Sequence, residues 1–133
     1  MVFIFRIPNH KSLILEGRKT ATRRVKEPRF REGSVQPAVT RLYEKPFAWL
    51  HIERIYQQHL GDMTEADAWK EGEYTSEQFK RIWTAPKPDG LGYEWDPDFN
   101  VWVIEFRLHG GVKAQTTEEE RTKDILRRAG YRV

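Results

Sequence analysis

Ile14-Leu-Glu-Gly-Arg-Lys-Thr-Ala-Thr-Arg-Arg24 is the stretch on which the fold turns. It joins two kinds of local structure. Asn9 can cap a short helix over residues 10–16, with Leu13 and Ile14 turned inward. Gly17 suits the left-handed position that stops such a helix. Arg18 to Arg24 then reads as a loop entering a strand. If that strand were regular throughout, Lys19 and Thr22 would point to opposite faces, because the period is two. They can share a site only if Lys19 lies in the loop or the strand is bulged.

Outward from this stretch the chain reads as strands with short helices between them. Residues 2–7 form a strand ended by Pro8-Asn9. Residues 34–42 and 47–57 form two more. Pro37 marks the first of these as an edge or a bulge. In the second, Ala48, Leu50 and Ile52 share one face while Phe47, Trp49 and His51 share the other, which predicts a central strand covered on both sides. Thr64 with Asp67 and Thr75 with Gln78 are capping boxes, the first with Met63 as a staple. The helices they open end at Gly72 and before Pro86. Phe79, Ile82 and Trp83 form the inward stripe of the second. A loop rich in Pro, Gly and Asp covers residues 86–97. Alternation over residues 100–108 gives the clearest strand. This order predicts a mainly β fold with inserted helices (α+β), a small barrel rather than a parallel βα sheet. Gly110-Gly111 reads as a hinge, which divides the chain into a domain over residues 1–110 and a helical tail over 111–133 capped by Thr117.

The bulk properties narrow the class. The 133 residues suit one domain, and five Trp, seven Phe and five Tyr need a core. With no cysteine, a disulfide scaffold and a thiolate metal site are excluded. His10, His51, His59 and His109 show no metal-ligand spacing, and no glycine-rich phosphate loop occurs. No metal and no cofactor are expected. Arg6, Pro8 and Asn9 interrupt the apolar start before a signal-peptide core could form. No run approaches the roughly 20 apolar residues of a membrane span. The expectation is a soluble, cytoplasmic protein without a membrane partner. Net charge is +3, yet residues 17–33 alone hold seven basic residues against two acidic ones. Such a field attracts phosphates, although a solvated charged loop has the same composition.

Three segments in order resemble the ASCH domain family. They are residues 14–24, Thr64-Glu-Ala-Asp-Ala-Trp-Lys-Glu-Gly72 and Val101-Trp-Val-Ile-Glu-Phe106. The resemblance runs over roughly residues 3 to 108 and leaves out the tail. It implies a PUA-like barrel and an RNA or nucleoside ligand. Within the family, the chain is similar to small single-domain bacterial enzymes that hydrolyse the acetyl amide of N4-acetylcytidine. That likeness implies a catalytic set of Lys19, Thr22 and Glu71, with a second basic position at Arg24. Arg23 replaces what can be an apolar residue, and Gly72 stands where those enzymes carry Asn. The aromatic loop and the tail are additions. These departures leave the substrate open.

The chemistry is consistent with such a set. An amide hydrolase needs a nucleophile, a base and donors for the oxyanion. Thr22 offers the hydroxyl. Lys19 can be the base only when neutral, and its ordinary pKa is about 10.4. Burial and the charges of Arg18, Arg23 and Arg24 would lower it, while Glu71 would raise it. Glu71 fits a proton relay or an acceptor for a substrate amine. Arg18, Arg23 and Arg24 are candidate ligand contacts. Tyr93, Trp95 and Trp69 are candidate stacking faces for a base. A non-catalytic RNA-binding module, a ribonuclease and a tail that recruits a protein partner are the competing readings.

Overall fold

A computed structural model of the chain describes residues 3–109. The expected tail helix and the division near residue 110 lie outside the described residues. The chain begins with strand β1 (Phe3–Ile4) and helix α1 (His10–Leu15). Strands β2 (Ala21–Arg24), β3 (Val35–Val39) and β4 (Ala48–His59) follow. A 3₁₀ turn over Leu60–Asp62 leads into α2 (Glu65–Gly72) and α3 (Ser76–Thr84), and β5 (Asn100–Leu108) is the last element among the described residues.

The five strands form one sheet in the order β1-β3-β4-β5-β2. β1 runs parallel to β3, and the other neighbours are antiparallel. The sheet curls into a half-barrel with β1 and β2 as its two edges. This is the small barrel with inserted helices expected from the sequence, in the form of a half-barrel whose edges are separated by a seam. β1 is too short to close it. Only Phe3 and Ile4 pair, with Ala38 and Val39, before the chain turns into α1. The same brevity accommodates Pro37, which lies beyond the β1 pairing.

β4 carries the curl. Ala48, Leu50 and Ile52 are fully buried, as alternation predicts. The register against β5 then slips between Ile52 and Arg54, so that Ile55 continues the inward row. The outer face does not meet expectation. Trp49 is 40% exposed there, so β4 is covered on one side only at that end. One core packs Phe3, Phe5, Ile14, Leu50, Ile52 and Phe106 inside the curl. A second packs Leu60, Ala68, Phe79 and Trp83 against the start of β5 at Val101.

The helix ends explain how the site residues are aimed. Both capping boxes form as the sequence indicates, Thr64 with Asp67 and Thr75 with Gln78. Asn9 makes no side-chain cap bond; Ser12 Oγ donates to its carbonyl instead. Gly17 takes φ of 75°. The backbone N–H groups of Arg18 and Lys19 then both donate to the Leu13 carbonyl, at 2.8 and 3.1 Å. α2 is tied to the chain entering β2 by the Thr20 N–H, which donates to the Lys70 carbonyl at 3.0 Å. This contact brings the last turn of α2 over β2.

Candidate functional site

A cavity of about 350 Å³ opens along the seam. The first edge contributes the Ile4-Phe5-Arg6-Ile7 backbone and the second contributes Thr22 to Val25. Glu71 and Tyr74 form its floor, His10 one side, and Tyr93 with the Lys87-Pro88 turn its mouth. The volume falls in the range of small-molecule sites.

Lys19 lies in the turn before β2, so the strand period does not separate it from Thr22. Its side chain is 0% exposed. The ammonium donates to the carbonyls of Ala21 at 2.6 Å and Glu71 at 2.7 Å. Glu71 Oε1 lies 3.6 Å away, and the Phe5 ring centre 5.8 Å. Burial, with Arg24 and Arg23 adding to it, pushes the Lys19 pKa down to about 8 against the pull of Glu71. Lys19 is therefore sealed behind the cavity wall, whereas Thr22 and Glu71 line the cavity itself.

Glu71 is shared. Its Oε2 accepts from Arg23 at 2.6 Å, and its Oε1 has only Lys19 at the longer distance. Oε1 keeps lone-pair capacity for a further partner. Arg23 is 4% exposed, also donates to Gln58 at 2.6 Å and lies 3.6 Å from Asp67. It holds Glu71 from the cavity wall that it helps to line.

Arg24 differs. It is partly buried, donates to the Ile4 carbonyl at 2.9 Å, and lies 4.9 and 5.0 Å from the centres of the Phe3 and Phe5 rings. Nε also approaches Thr22 Oγ1 at 3.4 Å. Among the described residues no carboxylate comes within 4 Å of it. Burial lowers its pKa to about 10, so the charge persists at neutral pH and faces the cavity unneutralised.

Three expected contacts lie elsewhere. Arg18 projects away from the seam, where it forms a two-point pair with Glu73 and a 2.7 Å bond to Glu16. The turn at Gly17 sends it and Lys19 to opposite sides. Trp95 packs against the second core under Lys80, whose Nζ lies 5.1 Å from its ring centre, and Trp69 is 55% exposed away from the cavity. Tyr93 alone of the three aromatics reaches the mouth, with its ring 4.8 Å from Trp83.

Sequence reasoning missed His10 and Tyr74. His10 Nε2 and the Tyr74 hydroxyl lie 2.8 Å apart at the cavity wall. Burial, then Lys19 and Arg24, push the His10 pKa down to about 2. The imidazole is neutral, so its tautomer sets whether Nε2 accepts from the tyrosine hydroxyl or donates to it. Burial and Glu71 raise the Tyr74 pKa to about 12. Gly72 makes this pair possible, because a Cβ there would meet the Tyr74 ring at 2.7 Å and His10 Nε2 at 3.2 Å. The glycine at a helix end was the available signal. Among the described residues no cluster suited to a metal ion occurs, and no helix is long and apolar enough to cross a membrane.

Comparison with known proteins agrees with the fold. Residues 6–109 match the family model of the ASCH domain. The ASCH domain from Lactobacillus crispatus JV V101 is similar in structure, with a TM-score of 0.58 and 21% identity over 74% of this chain and 69% of that one. A protein from Enterococcus faecalis V583 gives 0.56 and 20% over 74% and 66%. A mutant of the ASCH protein from Zymomonas mobilis gives 0.53 and 19% over 80% and 67%. No curated protein matches the sequence.

Proposed function

The chain belongs to the ASCH domain family, a family suggested to bind RNA, and we propose that its seam cavity holds a cytidine-like base and hydrolyses an acyl amide on the exocyclic nitrogen. One observation carries this reading. Glu71 Oε1 remains open to the cavity, between a lysine of lowered pKa and a wall shared with Thr22. An open carboxylate oxygen is an acceptor for an exocyclic N–H. Arg24 supplies the complementary donor for a base or acyl oxygen, and Tyr93 a stacking face.

Roles follow from these positions. The Thr22 hydroxyl attacks the acyl carbon. Glu71 takes its proton and exchanges it with Lys19 across 3.6 Å. The amine leaves with that proton, and water then releases the acid from Thr22. Arg24 faces the charge that develops on the acyl oxygen. Lys19 thus acts through Glu71 and not by touching the ligand.

Incubation with N4-acetylcytidine, followed by chromatography for cytidine, tests this reading. Wild type releases cytidine, and Thr22→Ala or Glu71→Gln removes most of the rate. Absence of wild-type turnover contradicts it. The sealed position of Lys19 favours a second reading, a non-catalytic RNA-binding module. In that case cytidine binds but its acetylated form is not hydrolysed.

A further inference from the structure

A second cavity, of about 450 Å³, adjoins the first and shares Arg24, Val25 and Tyr93 with it. Its rim carries Lys26 and Arg29, both exposed, and its wall includes the half-buried Phe30, whose ring centre is 5.1 Å from that of Phe3. Among the described residues neither Lys26 nor Arg29 has a carboxylate within 4 Å. Elsewhere Arg18, Arg23, Arg54 and Arg107 are paired, while Lys11, Arg31, Lys45, Lys80 and Arg81 likewise have no carboxylate within 4 Å among the described residues. What sets this groove apart is that Arg24, Lys26 and Arg29 run from the first cavity into the second beside an apolar wall. Glu27 and Glu32, the acids of the same loop, line neither.

From this continuity we infer that the second cavity is a subsite for a flanking nucleotide, so that the preferred ligand is an RNA strand rather than a free nucleoside. The inference rests on the base site proposed above. The linking phosphate lies on Lys26 and Arg29, the second base lies against Phe30, and Tyr93 with Arg24 divides the two bases. The cation pattern supplies charge complementarity to a phosphodiester. The apolar wall beside it suits a base face and not a bare anion.

Calorimetric titration of cytidine, both cytidine monophosphates and a cytidine dinucleotide monophosphate tests the subsite. The dinucleotide is expected to bind at least about tenfold tighter than cytidine at low salt, and tighter than either monophosphate. Lys26→Ala/Arg29→Ala, at two exposed positions, abolishes that gain and leaves cytidine affinity unchanged. Equal affinity of dinucleotide and cytidine overturns the subsite while the base site stands. A gain that survives the double substitution, or one matched by a monophosphate, also overturns it. Failure of cytidine itself to bind overturns both proposals.

Discussion

Arg24 Nη2 donates to the Ile4 carbonyl at 2.9 Å and so ties the two free edges of the curled sheet together across the seam. One side chain thus does what a fifth strand pairing, β1 with β2, would do in a closed barrel. It leaves an opening beside itself, and it places an unneutralised cation in that opening.

Arg24→Ala is expected to lower stability by about 1–3 kcal/mol, through the lost bond and the lost stacking on Phe3 and Phe5. Arg24→Lys keeps the charge without the planar face and recovers only part of that. Urea unfolding of the three proteins measures it. Unchanged stability of the alanine variant would mean that the seam does not need this tie.

Lys19 makes stability depend on pH in a defined window. Its folded pKa, about 8, lies below the ordinary value of 10.5, so between these the unfolded chain binds more protons. Stability therefore rises with pH from 8 towards 10, by about 1.4 kcal/mol per unit for one proton. Below pH 8 the burial penalty is fully present and constant. Lys19→Met removes the rise. Chemical denaturation at pH 7.5, 8.5 and 9.5 checks it, and a flat wild-type profile contradicts it.

His10 acts in a lower window with the same sign. Its folded pKa, about 2, lies below 6.5, so the native imidazole stays neutral while the unfolded one protonates. Stability is full above pH 6.5 and falls as pH drops below it. Ring resonances of His10 are expected to stay unmoved between pH 8 and 5 in an NMR titration. A midpoint near 6.5 would show that the imidazole is hydrated and not locked to Tyr74.

Gly72→Ala tests the packing beneath the cavity. Alanine gains about 1 kcal/mol of helix propensity over glycine. Here its Cβ would meet the Tyr74 ring at 2.7 Å and displace the tyrosine from His10. The net change is expected to be a loss of about 1–3 kcal/mol, read as a lowered melting temperature. A stabilised variant would mean that the ring swings aside freely.

The elements set by local signals were legible from the sequence. Both capping boxes and the Gly17 stop need only neighbours in the chain. The seam was not. It depends on β1 pairing with β3 and β2 with β5, partners 35 and more residues away. The bulge at Ile52 was hidden because Arg54, Ile55 and Tyr56 fit either register. In the site, the family resemblance suggested Lys19, Thr22 and Glu71, but not that the lysine is sealed. Arg18 and Lys19 look alike in sequence, and only the turn at Gly17 sends one to Glu73 and the other inward. His10 gave no signal because its partner is 64 positions away.

The most direct measurement is a two-dimensional NMR titration of the ¹⁵N-labelled protein with cytidine. Amide shifts are expected to concentrate at Thr22, Arg24, Glu71, Tyr74 and Tyr93, around both edges of the seam. Shifts confined to the outer face near Trp49, or none at millimolar ligand, would contradict the seam as the binding site.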